Sequence, residues 1–248
     1  MDQRNGWVAA DEELIQKTLW AHKTLNVQYG VQEFYEQKNP MRELIRTILS
    51  HRTTYANEMT AYRTMMEQFG TWEGVRDAPM AELTDTIKTA NYPEVKAPYI
   101  KAVLEAIIQE RGEANIDFLH ELTTQEAMQW LNRLPGVGPK TSTLLLLFEF
   151  HKPVLPVDTH VHRVTQRVGL IGPKVSAGKA HTLLLSYLPP DAKALYNFHK
   201  HFFWHGQRVC TWYEPKCPAC VLQSRCDYFQ TGRTAKLSST PQKVSRLP

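Results

Sequence analysis

Apolar side chains recur along most of this chain at the three- and four-residue spacing of helices, and strand-like alternation is almost absent. Asp11 to His22 predicts a first helix, with Leu14, Ile15, Thr18, Leu19 and Trp20 on or near one face. Asn39-Pro40 is a helix start, a capping side chain followed by a residue whose missing N–H costs nothing there. Behind it Met41, Leu44, Ile45, Ile48 and Leu49 form an apolar stripe that ends at Ser50-His51-Arg52-Thr53-Thr54. Another helix carries Met59, Tyr62, Met66 and Phe69 and stops at Gly70. Short helices follow Thr71-Trp72 and Pro79. Asn91-Tyr92-Pro93 then breaks the chain before an amphipathic run from Glu94 to Arg111, in which Pro98 is tolerable because it lies near the start. Helices near Ser176 to Leu188 and from Asp191 to Gln207 flank Pro189-Pro190. The pattern predicts an all-α protein without internal repeats.

The richest stretch runs from Thr123 to Arg163. Thr123 and Glu126 are spaced as a capping box, and Ala127, Trp130, Leu131 and Leu134 give the following helix one apolar face. Thr141 to Phe150 is apolar almost all round, which predicts a buried helix. Between them, Gly136 and Gly138 permit positive φ and close approach of another backbone. The loop therefore offers N–H groups beside a helix N-terminus, a natural phosphate site. Lys140 is expected at the mouth of the buried helix, partly desolvated. Asp158, just before Thr159, fits an N-cap as well as a catalytic carboxylate.

Leu134-Pro135-Gly136-Val137-Gly138-Pro139-Lys140-Thr141, followed by Val157-Asp158-Thr159-His160-Val161-His162-Arg163-Val164, resembles the helix-hairpin-helix DNA glycosylases of the endonuclease III kind. The resemblance extends from about Pro40 to Tyr228. It implies a six-helix domain at 37–152 containing the hairpin, and a second helical domain at 1–36 plus 153–228. A DNA cleft would lie between them with Lys140 and Asp158 at its mouth, and 229–248 would be a basic flexible tail. The implied activity is base excision on double-stranded DNA with a damaged base or abasic site, by a monomeric bifunctional N-glycosylase and AP lyase that removes oxidised pyrimidines. Lys140 would attack C1′ and form a Schiff base, with Asp158 assisting. Gly136, Val137 and Gly138, with a monovalent cation, would hold a backbone phosphate, and Thr141 and His160 count among the DNA-binding positions. Arg52 and Tyr92 match positions that fill the gap left by an extruded nucleotide. This chain departs from the family there: Ser50-His51-Arg52-Thr53-Thr54-Tyr55 replaces the usual Ser-Ala-Gln-Ala-Thr-Asp, and Asn91-Tyr92-Pro93 replaces a leucine-bearing loop.

Charge agrees with a polyanionic partner. The net +4 is modest, but Arg133 to Lys174 holds six Lys/Arg against Glu149 and Asp158, and the tail after Tyr228 holds Arg233, Lys236, Lys243 and Arg246 with no acid. Apolar and charged fractions of 42% and 22% are ordinary for a globular chain. No apolar run approaches a membrane span, and the N-terminus has no signal-peptide core, so a cytoplasmic, nucleoid-associated location is expected.

All four cysteines, Cys210, Cys217, Cys220 and Cys226, fall in one segment spaced C-x6-C-x2-C-x5-C. Clustered cysteines in such a chain argue for metal rather than disulfides, and spacing alone suits zinc or an iron–sulfur cluster. The resemblance selects a structural [4Fe–4S] cluster, with Lys216 and Arg225 near phosphates. Tyr213 and Glu214 stand where family members usually carry further basic residues.

Two other functions compete. Asp158-x-His160-x-His162 offers three ligands for a metal-dependent hydrolase, but a helix starting near Thr159 would splay them. Hairpin motifs also occur in non-catalytic DNA-binding proteins, and a glycosylase with altered base specificity could be monofunctional; Lys140 together with Asp158 argues against both. His199, His201 and His205 are expected to pack or to contact phosphate.

Overall fold

The computed structural model describes residues 12–35 and 39–232. The basic tail expected beyond Gly232 and the N-terminal residues before Glu12 lie outside them. Among the described residues every regular element is helical. The described residues fall into two compact units, one within 35–154 and one made of 12–34 and 155–232.

The first helix, α1 (Glu12–Tyr29), runs a full two turns past the expected stop at His22, because nothing between Lys23 and Tyr29 breaks it. Gly30, at φ +73°, terminates it with its N–H on the Asn26 carbonyl. The buried positions of α1 are Thr18, Ala21 and Leu25.

In the 35–154 unit, α2 (Pro40–Ser50) is capped by the Asn39 side chain and buries the whole expected stripe: Met41, Leu44, Ile45, Ile48 and Leu49. The helix α3 (Tyr55–Phe69) ends at Gly70 as expected, but its inward face differs. Glu58, Ala61 and Met65 are buried, while Met59, Tyr62, Met66 and Phe69 are only half-buried. The reason is an ion pair that hydrophobic periodicity cannot register. Arg46 Nη2 lies 2.8 Å from the Glu58 carboxylate and Nη1 2.8 Å from Glu43, so Glu58 enters the core already paired.

The helices α4 (Trp72–Asp77) and α5 (Met80–Thr86) lean on α6 (Pro93–Arg111), whose Ala97, Ile100, Val103, Leu104 and Ile107 face the core. The helix α7 (Thr124–Arg133) carries the capping box in full: Glu126 N–H donates to the Thr123 hydroxyl and Thr123 N–H to the Glu126 carboxylate. It packs on α8 (Pro139–Phe148), which starts two residues earlier than expected because Pro139 occupies the first helical position. Leu145, Leu146 and Leu147 are buried.

In the other unit, α9 (Thr159–Val168), α10 (Ala177–Ser186), α11 (Ala192–Arg208) and the short α12 (Asp227–Gln230) join α1. The helices α9 and α11 cross closely at Gly206, where an added Cβ would stand 2.8 Å from His160 Cβ. Tyr196, Phe198 and Phe202 of α11 supply the largest buried side chains, with the Phe198 and Phe202 rings stacked 4.1 Å apart.

Candidate active site

The hairpin between α7 and α8 is a tight turn built on one left-handed residue. Val137 N–H donates to the Leu134 carbonyl, and Gly136 turns the chain at φ +72°. A Cβ at Gly136 would fall 2.7 Å from the Tyr99 ring, so glycine is required there twice over. Gly138 was expected to need the same freedom but lies at φ −104°, ψ 179°, extended backbone open to any residue. Its own distinction is space: nothing stands within 4 Å of its Cβ position. The helix α8 has no side-chain cap, which leaves its first N–H groups for another partner. Asn132 and Ser142 tie the two helices behind the turn at 2.8 Å.

Lys140 occupies the first turn of α8 and is exposed, so the expected partial desolvation is absent. Its charge reaches His51. Partial burial, followed by the charges of Lys140 and Lys96, holds that ring below its ordinary titration range. Thr141, expected at the DNA face, is 1% exposed, and only its backbone can serve a phosphate. Arg52 and Tyr92 are brought together: the guanidinium lies 5.9 Å over the ring, both side chains are exposed, and both residues sit at positive φ, 54° and 59°.

In the other unit Asp158 caps α9, its Oδ1 accepting from His160 N–H at 2.9 Å and Val161 N–H at 2.8 Å. Both bonds use one oxygen. His160 packs edge-on against Phe203 of α11 and meets Arg163 Nη2 at 3.1 Å, while His162 reaches the Val175 carbonyl. Asp158, His160 and His162 therefore do not converge, and among the described residues no three of His, Cys, Asp or Glu form a ready-made metal-ligand group. The alternative hydrolase site fails on that geometry.

The four cysteines are free thiols lining one cavity with Val164, Val168, Val209 and Pro215. Burial pushes Cys220 up to about 11; burial and then Cys210 and Cys226 raise Cys217, and burial raises Cys226 against backbone N–H groups of Phe229 and Tyr228 that lower it. Polar groups face the sulfurs: Arg167 Nη1 donates to Cys210 Sγ at 3.4 Å, and His205 Nε2 lies 3.3 Å from Cys220 Sγ. Arg163, 7% exposed, binds the Cys210 and Gly206 carbonyls, and Arg167 binds those of Thr211 and Trp212. The helix α9 thus clamps the cysteine loop, a role its two arginines did not announce in the sequence. Arg225 lies over the Trp20 ring, whereas Lys216 is exposed. His199 and His201 are buried and bonded to Pro156 and Asn26, which confirms packing roles.

Two residues of the hairpin unit escaped sequence reasoning. Lys96 looks like a solvated charge in an amphipathic run, yet it is 5% exposed and bonds the loop that carries Arg52. Tyr99 supports Gly136. Only the missing room beside that glycine reveals it.

Residues 45–190 match the HhH-GPD superfamily of base excision DNA repair proteins. Endonuclease III of Thermotoga maritima is 31% identical over 196 residues, covering 79% of this chain and 86% of that protein. The DNA glycosylase/AP lyase ROS1 of Arabidopsis thaliana is 27% identical over 173 residues, 64% of this chain but 12% of that protein. In fold, the chain resembles a trapped endonuclease III–DNA covalent intermediate with an estranged adenine, at TM-score 0.75 and 23% identity over 88% of this chain and 98% of that one. A thermostable thymine-DNA glycosylase follows at TM-score 0.73 and 20% identity, over 87% and 98%. Hairpin, fold and sequence agree: this chain belongs to the HhH-GPD superfamily of base excision DNA repair proteins, as a DNA glycosylase of its endonuclease III group.

Proposed function

We propose that the chain binds double-stranded DNA containing a damaged base or abasic site, removes oxidised pyrimidines, and nicks the strand. The observation that carries this reading is the exposed Lys140 in the first turn of the uncapped α8, directly after the Gly136–Gly138 turn. Backbone N–H groups there suit a phosphate, and the open space beside Gly138 lets one approach; residues 136–138 would hold a monovalent cation that helps neutralise it.

Lys140 Nζ attacks C1′ of the extruded nucleotide, and the bond from C1′ to the base breaks with its electron pair leaving on the base. Opening of the sugar ring at O4′ gives an imine between Lys140 and C1′. Loss of a C2′ proton then expels the 3′ phosphate, and water releases the lysine. Asp158 accepts the proton from Lys140 or offsets positive charge on the sugar. Its Oδ2 serves, since Oδ1 carries both capping bonds. The ROS1 relative carries AP lyase in its name, which supports the second step.

The four cysteines suit a [4Fe–4S] cluster in number, in being free and in lining one cavity, with an Arg167 N–H on Cys210 Sγ, although they do not converge as the ligands of a single ion. Held by Cys210, Cys217, Cys220 and Cys226, such a cluster would supply structure to the 210–226 loop, which Arg163 and Arg167 hold through its carbonyls. Arg52 and Tyr92 fill the gap after extrusion. A guanidinium donates two parallel bonds to guanine O6 and N7, so the rate is highest opposite guanine.

A panel of duplexes, each with one lesion and each of four opposite bases, tests this when base release and nicking are scored separately. Release and nicking together on oxidised pyrimidines support it. Release without nicking makes the enzyme monofunctional, and neither makes it a non-catalytic binder.

A further inference from the structure

The loop that carries Arg52, residues 50–54, has no buried side chain of its own. Its anchor is Lys96, in the first turn of α6, whose ammonium donates to the Leu49 carbonyl at 2.6 Å, the His51 carbonyl at 2.8 Å and the Thr53 hydroxyl oxygen at 2.7 Å. All three ammonium protons are used. Two of the acceptors are carbonyls at the C-terminal end of α2, groups a helix end leaves without partners. Burial, offset in part by the Glu58 charge, brings Lys96 down to about 8, so it remains largely an ammonium at neutral pH.

The same knot reaches the second loop. Asn91 N–H donates to the Thr53 hydroxyl oxygen at 3.1 Å, and the Asn91 side-chain amide donates to the Arg52 carbonyl. Thr53 Oγ1 therefore accepts from Lys96 and from Asn91 while donating to the His51 carbonyl at 3.2 Å. On either side of this knot stand Arg52 and Tyr92, both non-glycine residues in the left-handed region. Such a backbone is strained for a residue with a side chain, and it persists only where surroundings fix it.

The geometry points to Lys96 as a positioning residue: it locks the 50–54 and 91–93 loops into one preassembled element, so that opposite-base selection by Arg52 and Tyr92 depends on it although it touches no DNA. This rests on the proposed insertion of Arg52 and Tyr92. Chemistry at Lys140 on a substrate with no opposite base does not need the element. That separates a positioning role from a general structural one.

The test compares wild type, Lys96→Met, Asn91→Ala, Arg52→Ala and the Lys96→Met/Arg52→Ala pair. Single-turnover rates are measured on one lesion opposite each of the four bases, and nicking is measured on a single-stranded abasic oligonucleotide. Lys96→Met is expected to shrink the guanine preference to within about twofold, while single-stranded nicking stays within about twofold of wild type; adding Arg52→Ala then changes the preference no further. Asn91→Ala, an exposed change that cannot empty the core, should shift the preference the same way and keeps the test open if Lys96→Met fails to fold. A wild-type preference retained in Lys96→Met, or in Asn91→Ala where the first does not fold, overturns the positioning role. Loss of single-stranded nicking in parallel with the preference overturns it too. If Arg52→Ala leaves the wild-type preference intact, the insertion reading itself fails, and this inference falls with it.

Discussion

Gly136 and Gly138 make opposite demands, and alanine at each separates folding from binding. At Gly136 an alanine must hold φ near +72°, which costs about 1–2 kcal/mol, and its Cβ would stand 2.7 Å from the Tyr99 ring. The Tyr99 ring is 43% exposed and can swing aside, so the clash adds only about 0.5–1.5 kcal/mol, for a total of about 1.5–3.5 kcal/mol. Gly136→Ala should therefore lower the melting temperature by several degrees and weaken DNA binding together. Gly138→Ala meets nothing within 4 Å and needs no unusual φ, so stability should change by less than about 0.5 kcal/mol. If that space admits a phosphate, a methyl there should still cost roughly 10–100-fold in affinity, the equivalent of one bond to a charged group. Thermal melts and fluorescence anisotropy on an abasic-site duplex measure both quantities. Wild-type affinity in Gly138→Ala refutes the hairpin as the phosphate site. Adding Tyr99→Ala to Gly136→Ala should recover only the steric share; full recovery refutes the conformational share.

Asp158→Asn keeps a side-chain oxygen to cap α9, so stability should hold while turnover falls; Asp158→Ala should lose about 1 kcal/mol as well. An unchanged rate in the Asn variant removes Asp158 from the chemistry. Anaerobically purified protein should be brown with about four irons per chain, and Cys217→Ser should lose iron and C-terminal stability before it loses nicking; stoichiometric zinc in a colourless active preparation contradicts the cluster. Burial lowers His201 from 6.5 to about 4, so the unfolded chain takes up a proton that the folded chain refuses. Stability is then at full value above pH 6.5 and declines towards pH 4, by at most roughly 3 kcal/mol for this group. His201→Phe should flatten that acid limb in pH-dependent melts, and an unchanged limb assigns acid sensitivity elsewhere.

Much of the architecture was legible because apolar spacing and capping residues act locally. Asn39-Pro40, Thr123 with Glu126, Gly70 and the 41–49 stripe all appear in the structure as their chemistry dictates. Failures arose where a distant partner decides. Glu58 turns inward because Arg46 meets it, and Lys96 turns inward because three oxygens from the 49–53 segment meet it. Neither partner is visible in a window of neighbouring residues. Lys140 was placed correctly in the chain but expected in a drier setting than its first-turn position on α8 provides. Arg163 and Arg167 belonged to a motif whose pattern says nothing about which loop they hold.

The central claim is that Lys140 forms a covalent imine with the sugar. Borohydride reduction of wild-type protein on duplex DNA carrying an abasic site should give a stable adduct, and peptide mapping should place it on Lys140. Lys140→Gln, an exposed substitution that leaves the hairpin intact, should bind the same duplex with near wild-type affinity and yield no adduct. Undiminished trapping in that variant, or an adduct mapped to another residue, contradicts the account.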